Sequence, residues 1–102
     1  MQSLISHSQR DNLSTDCPDW QLMSSRDALQ KTFVFKNFVD AFSCMSEIAV
    51  IAEELNHHPE WLNVWNRLEI TLTTHDSGGL TLKDIQLAEA IDCICQRKLL
   101  NA

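Results

Sequence analysis

The chain has 102 residues, 44% of them hydrophobic, and a formal net charge of −6. That composition fits one packed domain spanning 1–102, and the acidic balance excludes a nucleic-acid surface, which needs clustered Lys and Arg. No apolar run nears the roughly 18 residues of a membrane span, so no membrane partner is expected.

The opening MQSLISHSQRDN lacks the apolar core of a signal peptide. The four cysteines, at 17, 44, 93 and 95, are therefore expected as free thiols in a reducing compartment. Cys93-Ile94-Cys95 is not a CxxC motif, and on a helix its two thiols point about 200° apart.

Residues 1–19 are polar. Leu4, Ile5 and Leu13 suit one face of a short N-terminal helix, which Pro18 would stop. Trp20 to Met23 reads as a short strand, followed by a polar turn from Ser24 to Ala28. From Gln30 to Lys36 the residues alternate, with Thr32, Val34 and Lys36 on one side and Phe33 and Phe35 on the other. The two runs form a predicted hairpin.

Asn37 suits an N-cap, and Asp40 falls in the first turn, where negative charge suits the helix dipole. Phe38, Ala41, Phe42, Met45, Ile48, Ala49, Ala52 and Leu55 recur at threes and fours, which predicts an amphipathic helix of about 18 residues. It must end near His57, because Pro59 disfavours helical geometry in the residue before it. Leu62 to His75 is β-rich, with Leu68, Ile70 and Leu72 facing one way. Asn63 and Asn66 leave open whether this is one strand or two. Asp76-Ser77-Gly78-Gly79 is turn chemistry. Thr81 then caps a second helix, with Asp84 as its capping-box partner. Leu82, Ile85, Ala88, Ile91, Cys95 and Leu99 are its expected apolar face. The class is α+β, an antiparallel sheet with helices on one face.

Glu53 to Asp84 holds three of the four histidines, two of the three tryptophans and both glycines. Imidazole both gives and takes protons near neutrality. A helix end carrying His57 and His58 and a strand end carrying His75 could meet in one site. A simpler reading has one histidine capping the helix carbonyls. Zinc is a third reading, but adjacent helical histidines diverge by about 100° and HExxH is absent, so no metal is expected.

The spacing is more specific than the cluster. Glu53 lies one helical turn before His57. His57-His58-Pro59, Trp65, His75 and Asp84 follow in order. This resembles the signature of the pterin-4a-carbinolamine dehydratase family: an acidic residue, HHP, an aromatic, a His and an Asp. RDAL, FKNFVDAF and GLTLKDIQLA extend the resemblance to most of the chain from Trp20 on. It implies a two-layer β-β-α-β-β-α domain: a four-stranded antiparallel sheet with two long helices on one face, plus the N-terminal helix.

The resemblance also implies an activity. 4a-Hydroxytetrahydropterin loses its C4a hydroxyl as water and its N5 proton, giving quinonoid dihydropterin, in tetrahydrobiopterin recycling. An acid and a base are needed, and no cofactor. By the resemblance, His57, His58, His75 and Glu53 are catalytic. His57, His58, Pro59, Thr74, His75, Asp76 and Ser77 line the substrate pocket, with Trp20 as a further wall. Some relatives carry Cys where Ser77 stands.

Glu53 is expected to orient or charge-stabilise His57, or else to be a solvated helix carboxylate. Asp84 is expected to cap its helix rather than touch substrate. Trp61 and Trp65 share a face if they lie on one strand, for packing or for stacking on a pterin. The expected partners are the pterin and copies of the chain, in a dimer or homotetramer. The family implies a second role, as dimerisation cofactor of a homeodomain transcription factor. The expected compartment is the cytoplasm, with the nucleus as a second.

Overall fold

Asn37 starts the longest helix as its sequence requires. Its side chain accepts the Asp40 N–H at 2.8 Å, and the helix runs Phe38–Leu55. In this computed structural model, which describes residues 2–100, the elements in order are α1 (His7–Asp11), α2 (Leu13–Asp16), β1 (Gln21–Leu22), β2 (Leu29–Val34), α3 (Phe38–Leu55), β3 (Glu60–Val64), β4 (Arg67–Leu72) and α4 (Leu82–Cys95). One-turn 3-10 helices at His75–Ser77 and Gln96–Lys98 follow β4 and α4.

The four strands form one antiparallel sheet in the order β1-β2-β4-β3. β4 is central, and its Leu68, Ile70 and Leu72 are wholly buried, as the period-two pattern requires. Phe33 from β2, Ile48 from α3 and Leu87 and Ile91 from α4 complete the same core. The predicted two-layer α+β class is the observed one.

The region from Leu62 to His75 resolves into a hairpin. Trp65 and Asn66 form its turn, with Trp65 in the left-handed region at φ 51°. The buried Asn66 amide donates to the Phe35 carbonyl at 2.9 Å, which ties the turn to the end of β2. Trp65 is therefore not on a strand with Trp61, and it is exposed.

Other expectations need correction. Leu4 and Ile5 precede the N-terminal helices in an extended segment. Leu4 bridges Thr81, and the Ile5 N–H donates to Leu80 at 2.9 Å. Residues 7–16 form two short helices where one was expected. On α4, Leu82 is exposed and Leu87 takes a core position, while Leu99 lies past the helix and bridges Phe35. On α3, Phe38 and Phe42 are exposed, with their rings tilted at 38° to each other, and Cys44 holds a core position.

Cys44 is also not a free thiol. It is bonded to Cys95, 51 residues on, with the Cα atoms 5.8 Å apart. The physical cause is helix packing, since α3 and α4 lie against each other and bring the two positions within disulfide reach. Cys17, buried, and Cys93, exposed, are the free pair among the described residues. No described helix is long and apolar enough to cross a membrane.

Candidate functional site

The site begins where α3 stops. Asn56 adopts the left-handed conformation at φ 51°, and its N–H bonds back to Ala52 and Glu53. The His57 N–H also returns to the Ala52 carbonyl, at 3.0 Å. Asn tolerates this conformation better than most residues with a side chain. The reversal sends the His57 ring inward and leaves the His58 ring exposed.

Inside, His57 Nε2 lies 2.5 Å from Asp84 Oδ1. Asp84 has no exposed surface. Its Oδ2 accepts the Thr81 N–H at 2.9 Å and the Thr74 hydroxyl at 2.8 Å. The Thr74 proton is thereby used, so Thr81 donates in the 2.8 Å contact between the two hydroxyls. Asp84 thus caps α4, as the sequence indicates, and also anchors His57, which the sequence reading missed. The signal was present in the pattern, where Asp84 stands as the one acid placed among the histidine motif residues on the second helix.

Glu53 does not reach His57. Its carboxylate contacts His58 Nε2. The reason is the left-handed Asn56: the helical one-turn relation stops there, and the second histidine faces the exposed side with Glu53.

His75 sits in the 3-10 turn after β4. Its Nε2 lies 3.0 Å from Glu60 Oε2. Arg26 in turn bonds both Glu60 oxygens at 2.8 Å and holds that carboxyl below its usual range. Neither Glu60 nor Arg26 was expected at the site.

His57, His58, Thr74, His75 and Asp76, with Asn56 and Thr73, line an open cleft of about 250 Å³. An adjoining recess of about 240 Å³ is shared by His57, Thr74, Asp76, Ser77, Gln2 and Lys83. Five of the expected residues therefore meet in the cleft, and Ser77 lies next door. Pro59 shapes the chain between His58 and β3 without lining either hollow. Trp20 is not brought there. It is buried against Phe33, with its indole N–H donating to Asp92 at 3.0 Å. A larger hollow, about 470 Å³ between Asp19, Gln21, Gln30, Lys31 and Thr32, contains no histidine. Among the described residues no three His, Cys, Asp or Glu side chains converge as a metal-binding group.

Three imidazoles line one cleft, each backed by its own carboxylate, and such groups can hold and move protons at separate places on one ligand. Comparison with known proteins bears on the family. The family model described as pterin 4 alpha carbinolamine dehydratase matches residues 3–94. The chain belongs to this family. A protein of Synechococcus sp. (strain WH7803), provisionally named pterin-4-alpha-carbinolamine dehydratase, is 47% identical over 95 residues, 93% of this chain and 100% of that one. The crystal structure of a transcriptional coactivator/pterin dehydratase from Brucella melitensis matches with a TM-score of 0.86 at 36% identity, covering 91% of this chain and 99% of that one. A pterin dehydratase-like protein identified as a RuBisCO assembly factor in the alpha-carboxysome shares the fold, with a TM-score of 0.66 at 20% identity over 78% of this chain and 93% of that one.

Proposed function

We propose that this protein dehydrates 4a-hydroxytetrahydropterin to quinonoid dihydropterin and water, as part of tetrahydrobiopterin recycling. The observation that carries the reading is the meeting of His57 and His75 at one cleft from two separate elements. In the elimination the C4a–O bond breaks as the hydroxyl gains a proton. The N5–H bond gives up its proton, and its electron pair forms the new double bond. The net loss is one water, so no redox cofactor or metal is required by the balance. His57 and His75 share the two proton transfers, while His58, held by Glu53, binds and positions the pterin. Thr74, Asp76 and Ser77 offer polar contacts to the pterin edge.

The active form in this reading is a homotetramer or dimer. The exposed Phe38, Val39 and Phe42 on α3 and the exposed Leu62 and Val64 on edge strand β3 support self-association. The same α3 face supports a second reading, a coactivator role through a transcription-factor partner, which the Brucella relative's description includes.

Stopped-flow loss of 4a-hydroxytetrahydropterin, with the unaided dehydration subtracted, tests the activity. A rate no faster than the unaided one would overturn it. Light scattering at micromolar concentration tests assembly, and a monomer there would overturn the oligomer.

A further inference from the structure

His75 is the least restrained of the three histidines. Its side chain is 72% exposed, and it stands in a single 3-10 turn. An exposed histidine on so short an element samples several rotamers unless a partner restrains the ring. The partner is Glu60, whose Oε2 lies 3.0 Å from Nε2. Glu60 opens β3 and is itself half-exposed, so it needs a restraint of its own. Arg26, on the β1–β2 loop, supplies one with two parallel bonds of 2.8 Å to the two oxygens. A bidentate guanidinium–carboxylate pair fixes the plane of the carboxylate as well as its position.

The same loop holds the backbone on either side of His75. Asp27 accepts the Thr73 hydroxyl on its carbonyl at 2.9 Å and the Leu80 N–H on its carboxylate at 3.1 Å. Adjacent residues of one loop thus hold the segment that carries the ring and, through Glu60, the ring itself. An ion pair this exposed adds little to stability. Its use is geometric.

We propose that Arg26 and Glu60 are positioning residues for His75, fixing the ring for proton transfer without touching substrate. The catalytic meaning of this inference rests on the dehydratase reading, so the test has one arm that does not use activity. Three-bond couplings report the χ1 rotamer of His75 by NMR. The parent should show one rotamer, and Arg26→Ala and Glu60→Ala should show averaged couplings with the fold and melting temperature kept.

In the assay, Arg26→Ala should lower kcat about tenfold, below the full contribution of a general acid–base group, with KM within about twofold because ground-state binding is untouched. Arg26→Lys keeps the charge and loses the fork, so it should recover only part of kcat. Unchanged couplings in Arg26→Ala would overturn the proposal. So would averaged couplings with unchanged kcat, or full recovery in Arg26→Lys. An inactive parent would sink the dehydratase reading alone, and the couplings would still decide whether Arg26 restrains the ring.

Discussion

His57 Nε2 and Asp84 Oδ1 lie 2.5 Å apart across 27 residues of chain. One comes from the end of α3 and the other from the first turn of α4. The contact therefore joins the two helices at the ends that border the cleft. Asp84 satisfies His57, Thr74 and the Thr81 N–H together, with no access to water.

Removing that carboxylate strands several buried partners at once. Asp84→Ala should destabilise the fold on the order of 3 kcal/mol, the scale for breaking a buried charged network. It should also lower kcat, because His57 loses its anchor. Urea unfolding checks the first effect and the stopped-flow assay the second. A stability within about 0.5 kcal/mol of the parent, the range of ordinary surface changes, would show that the network is not used.

The three histidines should separate kinetically. His75→Ala should lower kcat at least about a hundredfold, the lower end for general acid–base catalysis. His58→Ala should act more on KM than on kcat, as loss of uniform binding does. The His57→Ala/His75→Ala double variant should lose less than the product of the single losses. A His75→Ala enzyme within about threefold of the parent kcat, well below the range for a general acid–base group, would remove His75 from proton transfer.

Acid should loosen the β1–β2 loop. The Arg10 guanidinium bonds both Asp27 oxygens, at 2.8 and 2.7 Å, and holds the carboxyl below its ordinary 3.8. A depressed folded-state pKa adds stability that is fully present above the unfolded value and is lost as pH falls through the folded one. The loss should therefore run downward from about pH 4, just above the unfolded carboxyl value. Arg10→Ala should flatten that acid limb. Denaturant unfolding across the limb checks it, and parallel curves would refute it.

Gly79 should not tolerate a side chain. A Cβ there would sit 2.2 Å from Asp27 Oδ2, displacing the carboxylate that Arg10 and Leu80 share. Gly79→Ala should cost about 1–3 kcal/mol, the usual scale of overpacking. Thermal unfolding measures it, and an unchanged midpoint would mean that Asp27 moves aside freely.

Thiol titration under denaturing, non-reducing conditions should find two groups, Cys17 and Cys93, and four after reduction. The Cys17 thiol is pushed up to about 11 by burial and by Glu89, Asp92 and Asp16 around it, so in the native protein Cys93 should react first. Reduction removes a cross-link 51 residues long, which in the chain-entropy account is worth about 4 kcal/mol. Four reactive groups in the unreduced, unfolded protein would rule the bond out.

The elements most legible in the sequence were those with local causes. Asn37, the three-four spacing after it and Pro59 bound α3, and Thr81 with Asp84 starts α4. The histidine cleft was legible because motif spacing and a helix stop coincide at His57. What stayed hidden depends on tertiary placement. One left-handed residue, Asn56, gave Glu53 to His58 and left His57 to Asp84. Glu60 and Arg26 are an ordinary surface acid and base in the sequence, and they join His75 only once β3 pairs with β4 and the β1–β2 loop folds beside them. Trp20 looked like a pocket wall, but Phe33 and Asp92 hold it in the core. Cys44 and Cys95 meet because α3 packs on α4, a relation absent from the local pattern.

The Cys44–Cys95 bond closes a ring of chain, and the ring contains His57, His58 and His75. The exposed, left-handed Trp65 lies inside it as well, at the tip of the β3–β4 hairpin. Cutting the backbone at that tip would therefore open the ring without releasing either piece. The portion with His57 and the portion with His75 would stay covalently joined, each still paired to the other along β3 and β4. The protein could thus be produced as two polypeptides and operate as one, provided its oxidised link is kept.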